Sequence, residues 1–311
     1  MSQKKTKYCL ITNDVETTSI VNHRLDDKTA EIVYKEGMPR LLDLYDKYNV
    51  KATFFFTAHI AKLIPDIVNM ILPYGHEVGS HGYTHEANKA FDVLSLAEQK
   101  EHLKKSKAIL EDISGQEVIS FRAPAARVNK NTVRALIETG FKVDSSISSQ
   151  RIDMFMSFGA LKKMNWLVAP RLPYFTNNEN IFKKGDSELF EIPISALGFP
   201  YIGTFMRISP SLNNLTRNLL HIETKVNNRP FVFLTHPNEF IDEIRNCEKT
   251  QRRGSNYISY LFGDVLRHKL KVKNLGIKAI PLLEDELKFF VEKRCNFITC
   301  KDYYNSKLKE K

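Results

Sequence analysis

Short apolar runs alternate with longer amphipathic stretches through the first half of the chain. Tyr8–Asn13, Ala52–Thr57, His76–Ser80, Val118–Arg122 and Phe141–Ser145 have the length and the β-favouring content of buried strands. Between them, Glu36–Tyr48 places Leu41, Leu42, Tyr45 and Tyr48 near helical spacing. Ile60–Tyr74, Leu94–Ile113 and Asn129–Thr139 also read as helices, and Gly115 and Gly140 stand where the last two would end. This order predicts parallel strands joined by helical crossovers, in a barrel or a doubly wound sheet, and periodicity does not choose between the two. Ser146–Met206 loses the period. It is rich in Met, Phe, Tyr, Pro and Asn, contains one strand-like stretch, Glu191–Ser195, and otherwise reads as long loops of the kind that often carry function. A helix over Pro210–Val226 with Ser209 as N-cap, a strand over Pro230–His236, a helix over Pro281–Arg294 and a last strand at Phe297–Thr299 complete the pattern. No repeat or linker divides the chain. One domain over residues 1–311 is expected, with a motif-bearing core at about 8–240 and a C-terminal part, 241–311, made of a basic amphipathic helix, a closing helix and a strand.

Composition adds charge to this picture. The 311 residues are 42% hydrophobic and 26% charged, values that exclude a disordered chain, a collagen-like chain and a disulfide scaffold. The formal net charge of +10 suits an anionic partner. It is concentrated late: Gln251–Lys278 holds seven basic residues and one acidic, interleaved with Tyr257, Ile258, Leu261, Phe262, Val265, Leu266 and Leu270. That is the composition of a basic amphipathic helix, which either packs on a core or lies on an anionic membrane surface, the core being the commoner outcome. Nucleic acid is not expected, because no recognition motif accompanies the charge. Cys9, Cys247, Cys295 and Cys300 are scattered without a Cys-x-x-Cys and read as free thiols of a reducing compartment. No signal-peptide core or run of 18 apolar residues is present, so a cytoplasmic protein, peripheral at most on the inner membrane face, is expected.

Three polar clusters follow strands, where α/β folds place their sites. They are Asn13-Asp14-Val15-Glu16, Ser80-His81-Gly82-Tyr83-Thr84-His85 and Thr235-His236-Pro237. On one helical turn, His81 and His85 would point the same way, and two imidazoles with one carboxylate and an open position make a hydrolytic metal site. Asp14 or Glu16 could supply the carboxylate. In an extended chain these two share a side, so that one could bind metal while the other serves as base; the plainer alternative is a solvated loop or a helix N-cap. His236, Asp144 and Arg122 each end a strand. An Asp–His pair orients an imidazole, and an arginine can hold a carboxylate ionised.

Together these segments resemble the five motifs of the polysaccharide deacetylase family (carbohydrate esterase family four, the NodB homology domain). They occur in order as Thr12-Asn13-Asp14-Val15-Glu16, Ser80-His81-Gly82-Tyr83-Thr84-His85, Phe121-Arg122-Ala123-Pro124, Val143-Asp144-Ser145-Ser146 and Leu234-Thr235-His236-Pro237. The resemblance implies a distorted (β/α) barrel of about seven parallel strands, here with long aromatic loops. It implies metal-dependent removal of an N-acetyl or N-formyl group from an amino sugar. It casts Glu16, His81 and His85 as metal ligands, Asp14 as the base and Arg122 as the arginine that holds it. His236 becomes the general acid, Asp144 the residue that tunes it, and Pro124 with the backbone N–H of Ala125 the oxyanion side.

Two departures stand out. Val15 occupies the place of the family's second aspartate, so Glu16 would have to reach the metal, and Ala125 replaces the usual tyrosine. The metal is expected to be zinc, with cobalt, nickel or manganese as alternatives. Lacking a leader, the chain looks more like members that act on a glycan precursor or a lipid-linked sugar, and the basic 251–278 segment would then meet an anionic membrane. A metal-independent amidohydrolase of the allantoinase type, acting on a cyclic ureide, and a degenerate glycan-binding barrel are the rival expectations.

Overall fold

A computed structural model describes residues 6–22, 24–150, 165–243 and 267–310. Its centre is a curled sheet. The strands are β1 (Lys7–Val15), β2 (Ala52–Phe56), β3 (Glu77–Ser80), β4 (Ser120–Phe121), β5 (Val143–Asp144), β6 (Tyr174–Phe175), β7 (Phe190–Glu191), β8 (Phe231–Thr235) and β9 (Cys295–Phe297). They lie in the order β8-β1-β2-β3-β4-β5-β7-β6, and β9 also pairs with the start of β1. Every pairing is parallel except β7 with β6. The space between β7 and β8 is bridged by the chain after β7. Ser195 N–H donates to Val232 O at 3.0 Å, and Ile202 makes an isolated parallel bridge to Leu234. The result is a distorted (β/α) barrel, which the motif resemblance implied and the alternating pattern left open beside a doubly wound sheet.

The strands are buried on both faces, as parallel sheets covered by helices must be. Along β1, Cys9, Ile11 and Val15 belong to the large outer core against the helices. Leu10 points the other way, into an inner cluster with Phe55, Val143, Phe190, Ile192 and Val232. The helix Cys300–Lys309, which the polar–apolar pattern did not reveal, adds Cys300 and Tyr303 to that inner cluster. Its first N–H groups are taken by Thr53 Oγ1 (2.9 Å, from Cys300) and Glu77 Oε2 (3.0 Å, from Lys301). These partners sit at the N-terminal ends of β2 and β3, so the helix closes the bottom of the barrel.

Several boundaries differ from expectation for physical reasons. The first crossover starts earlier than Glu36: α1 (Asp27–Ile32), capped by Asp26, runs through a π-helical turn, Val33–Gly37, into α2 (Met38–Lys47). The expected helix Ile60–Tyr74 is broken into α3 (Ala58–Leu63), a short turn Asp66–Asn69 and a 3-10 turn Leu72–Tyr74, because Pro65 and Pro73 each remove a donor. The long helices Leu96–Ser114 and Pro210–Asn227 are close to the expected ranges, although Ser209 makes no side-chain cap. Residues 146–206 are not all loop. They contain β6, β7, the small hairpin Ala196–Leu197 with Phe199–Pro200, and the helix Gly203–Ile208. The last strand is Cys295–Phe297 rather than Phe297–Thr299.

Cys9, Cys295 and Cys300 are buried free thiols, and Cys247 lies outside the described residues. Most of the basic stretch 251–278 also lies outside them; its described end includes the short helix Arg267–Lys271. Among the described residues, no helix is long and apolar enough to cross a membrane.

Candidate active site

The C-terminal ends of β1, β3, β4 and β8 converge on one cavity of about 180 Å³. Its lining includes Asp14, His81, His85, Arg122, Ala125 and His236. Sheet register brings them together: Asp14 stands beside Phe55, Asn13 beside Thr235, and Ser80 beside Phe121. Five of the six motif side chains named as ligands, base, clamp or acid therefore meet here directly, and the sixth, Glu16, borders His85.

Alternation along β1 places both carboxylates. Val15 turns into the outer core with no exposed surface, so Asp14 and Glu16 on either side of it turn toward the cavity. Val15, which stands where the resembled motif has its second aspartate, is a core residue, and Glu16 lies one step on.

His81 follows β3 and is held to β2 by its backbone N–H, which donates to Phe56 O at 2.7 Å. Its Nδ1–H donates to Arg122 O at 2.8 Å, which leaves the Nε2 lone pair free to face the cavity. The two histidines are not on a helical turn, contrary to expectation. The segment is a loop in which Gly82 takes φ +74°, and the imidazole centroids of His81 and His85 are 5.6 Å apart. The loop is pinned from outside by N–H groups of Ala58 and His59, which donate to Gly82 O and Tyr83 O at 2.9 Å each.

One ligating atom each from Glu16, His81 and His85 lies within 4.8 Å of the others. Glu16 Oε2 is 3.1 Å from His85 Nε2, is buried, and has no hydrogen-bond partner among the described residues. A buried carboxylate oxygen left open between two imidazole nitrogens is costly unless a cation completes it. The donor set of two neutral nitrogens and one carboxylate oxygen fits a divalent metal ion.

Arg122 is buried, and four of the five N–H groups of its guanidinium are engaged. Nε donates to Ser145 O (2.8 Å), Nη2 to Ser145 Oγ (2.8 Å), and Nη1 to both Thr12 Oγ1 and Asp14 Oδ1 (2.9 Å each). Phe55 lies beneath it, 4.4 Å from Cζ to the ring centroid. Burial alone would raise the Asp14 carboxyl, but Arg122, then His81 and His236, outweigh it and hold Asp14 below its usual value. Asp14 Oδ2 is left 3.9 Å from His81 Nε2 and 3.9 Å from His236 Nε2, between the metal-type donors and the third histidine.

His236 is the opposite case to His81. Burial lowers both, and His81 stays below the usual imidazole value. At His236 burial is outweighed by Glu239 and then by Asp14 and Glu16, and its pKa is raised to about 9. One site thus holds an ionised carboxylate and an imidazolium at neutral pH.

The carboxylate behind His236 is Glu239, not Asp144 as expected. Glu239 Oε2 is 3.9 Å from His236 Nδ1. Asp144 accepts instead from Ser146 Oγ (2.7 Å) and Ser146 N–H (3.3 Å), beside the buried carboxyl of Glu191. Burial pushes both of these carboxyls up; Asp144 raises Glu191 further, whereas the hydrogen bond with Glu191 acts in the lowering sense at Asp144. Pro124 also departs from expectation. It does not line the cavity and packs behind Gly82, whereas Ala123, Ala125 and Ala126 do line it, with Ala125 and Ala126 both at φ +53°.

The cavity has walls that motif reading missed: Ser148, Trp166, Ile194 and Ile202 come from the period-less region, and they join Leu234 of the fifth motif. Ser148 is buried, with an Oγ that has no hydrogen-bond partner among the described residues. The signal available in the sequence was only the aromatic and irregular composition of that region.

Residues 19–143 match the family model for polysaccharide deacetylases, a range that includes His81, His85 and Arg122 and excludes Asp14, Glu16 and His236. Over 111 residues the chain is 35% identical to the peptidoglycan deacetylase of Helicobacter pylori, covering 36% of this chain and 37% of that protein. Over 108 residues it is 32% identical to a peptidoglycan-N-acetylglucosamine deacetylase of Bacillus cereus, covering 35% of this chain and 38% of that protein. The chain thus spans less than two-fifths of the length of these curated relatives. Of the solved structures, Puue allantoinase superposes with a TM-score of 0.56 at 16% identity, over 95% of this chain and 89% of that one. That likeness concerns the fold.

Proposed function

We propose that the chain, whose residues 19–143 match the family model for polysaccharide deacetylases, is a metal-dependent hydrolase that removes an N-acetyl or N-formyl group from an amino sugar of a glycan. The observation that carries this reading is the convergence of Glu16, His81 and His85 as an incomplete donor set, with Asp14 and His236 lining the same cavity. Glu16 Oε2, His81 Nε2 and His85 Nε2 would hold the ion, and an imidazole-rich set with one carboxylate suits zinc. When bound, the ion supplies Lewis acidity to a water molecule and to the acyl carbonyl.

The chain's own residues do the rest. Asp14, kept ionised by Arg122, accepts a proton at Oδ2 from the attacking water as its oxygen bonds to the acyl carbon. The backbone at Ala125, turned by its positive φ onto the cavity wall, supports the oxyanion that forms. His236 donates a proton from Nε2 to the departing nitrogen as the C–N bond breaks, leaving a free amine and a carboxylate. An amide nitrogen leaves poorly until protonated, so a separate acid is needed across the bond from the base. Trp166, Ile194 and Ile202 give the cavity apolar walls suited to the face of a sugar ring.

Elemental analysis of wild type beside His81→Ala/His85→Ala tests this. The expected result is about one divalent ion per wild-type chain and none in the variant, with acetate release from chito-oligosaccharide or peptidoglycan fragments lost in parallel. Failure of the wild type to bind zinc, or hydrolysis of a cyclic ureide that survives chelation, would replace this reading with the allantoinase-type one.

A further inference from the structure

We propose that Glu239, clamped by Arg207 and Thr204, is the positioning residue that orients His236 and keeps it in its proton-donating form, taking the task the family motif assigns to Asp144. For its functional meaning the inference rests on the hydrolase reading; the coupling between Glu239 and His236 stands on geometry.

Glu239 has no exposed surface. Its two oxygens divide their work. Oε1 accepts from Thr204 Oγ1 (2.7 Å), Arg207 Nη2 (2.9 Å) and Arg207 Nε (3.2 Å). Oε2 accepts from the His236 backbone N–H (3.2 Å) and faces His236 Nδ1 at 3.9 Å. Arg207 is buried too, and its Nη1 is tied down by the carbonyl oxygens of Lys271 (2.9 Å) and Lys273 (2.8 Å). The chain also makes room for this carboxylate: a Cβ at Gly203 would fall 2.2 Å from Glu239 Oε2. Such a buried charge is expensive to place, and one half of it is aimed at an imidazole.

The orientation follows from which nitrogen faces what. With Nδ1 toward Glu239, Nε2 is the nitrogen turned toward Asp14. The charged groups around His236 are Glu239 on its own loop, Arg207 behind Glu239, and Asp14 and Glu16 from the end of β1; Arg122, His81 and His85 share the cavity lining. Burial would raise the Glu239 carboxyl, but Arg207 and His236 hold it near 2, so its charge persists across the working range. Asp144 has no such role available. It shares its burial with Glu191, and no oxygen of it lies within ion-pair distance of His236.

The test follows the His236 ring by long-range proton–nitrogen NMR in the full-length protein freed of metal. Its titration midpoint should lie above 8 in the wild type, drop by at least one pH unit in Glu239→Gln, and recover most of that drop in Glu239→Asp. With zinc restored and tetra-N-acetylchitotetraose as probe, kcat of Glu239→Gln should fall on the order of 10²-fold with KM within about threefold. A folded Glu239→Gln variant with an unchanged midpoint overturns the proposal. So does a wild-type midpoint at or below that of free imidazole, which needs no variant to fold. A shifted midpoint in a wild type that releases no acetate would sink the hydrolase reading and leave the Glu239–His236 coupling standing.

Discussion

Arg122 shows how much one side chain can settle. Its five-donor fork meets Ser145 twice, Thr12 and Asp14, so it fixes both the place and the charge of the proposed base. Arg122→Lys keeps the charge and loses the fork. The expected outcome is a fall in kcat on the order of 10²-fold and a stability loss of roughly 3 kcal/mol, read from acetate release and urea unfolding. His236 makes a pH prediction. Its folded value, about 9, lies above the ordinary 6.5, so its stabilising contribution is full below about pH 6.5 and is lost as pH rises through about 9. Urea midpoints should therefore fall between pH 6.5 and 9.5, by an amount on the order of 1–3 kcal/mol, and the fall should shrink in His236→Gln. Asp14 acts in the reverse sense: its contribution is present above the unfolded carboxyl value and drains as pH falls through its lowered folded one. The candidates Asp14, Glu16, Arg122, His81, His85 and His236 were all legible in the sequence, because each ends a strand or lies just past one. Glu239 was not, because nothing in Pro237-Asn238-Glu239 tells that its carboxylate turns inward.

At the scale of elements, the positions that decide the site are close approaches of backbone. Gly37, at the end of the π-helical turn, has helical φ and ψ of −64° and −47°, yet a Cβ there would fall 2.4 Å from Pro237 O. By propensity alone Gly37→Ala should gain about 1 kcal/mol. The carbonyl belongs to the loop that carries His236 and cannot swing away like a side-chain tip. The expected outcome is therefore a net loss of stability and a lowered kcat, checked by thermal unfolding and acetate release on the same preparation. Strand positions were legible from short apolar runs such as Ala52–Phe56. The helix after β2 was not, since its apolar spacing runs on through prolines that divide it. The loop of His81 and His85 was misread for a related reason: a spacing of four fits a helical turn, and only Gly82 in the left-handed region shows that the chain turns back instead.

The whole molecule is a barrel filled from below. The inner cluster of Leu10, Phe55, Val143, Phe190, Ile192 and Val232 would open at the bottom without Cys300 and Tyr303. Tyr303→Ala should cost roughly 3–4 kcal/mol by urea unfolding, with metal content per folded chain unchanged, because the cavity lies at the other end of the strands. Read alone, Cys300–Lys309 looks like a polar tail. Its role exists only because a curled parallel sheet leaves an apolar interior that something must cover.

The strand-and-helix alternation, the polar clusters after strands and the burial of Val15 between two inward carboxylates all follow from local sequence, because side-chain alternation in a strand is a property of the backbone. Which clusters meet is a matter of register. Asn13 and Thr235, 222 residues apart, share a hydrogen bond because β1 and β8 pair in parallel, and that pairing sets Asp14 beside His236. The partner of His236 was decided at the same level. Asp144 ends β5 and Glu239 lies just past β8, but Glu191 faces one and Arg207 the other. Burial raises the Asp144 carboxyl, whereas the Arg207 guanidinium outweighs burial and holds the charge on Glu239, and these surroundings come from parts of the chain that only the folded structure brings near.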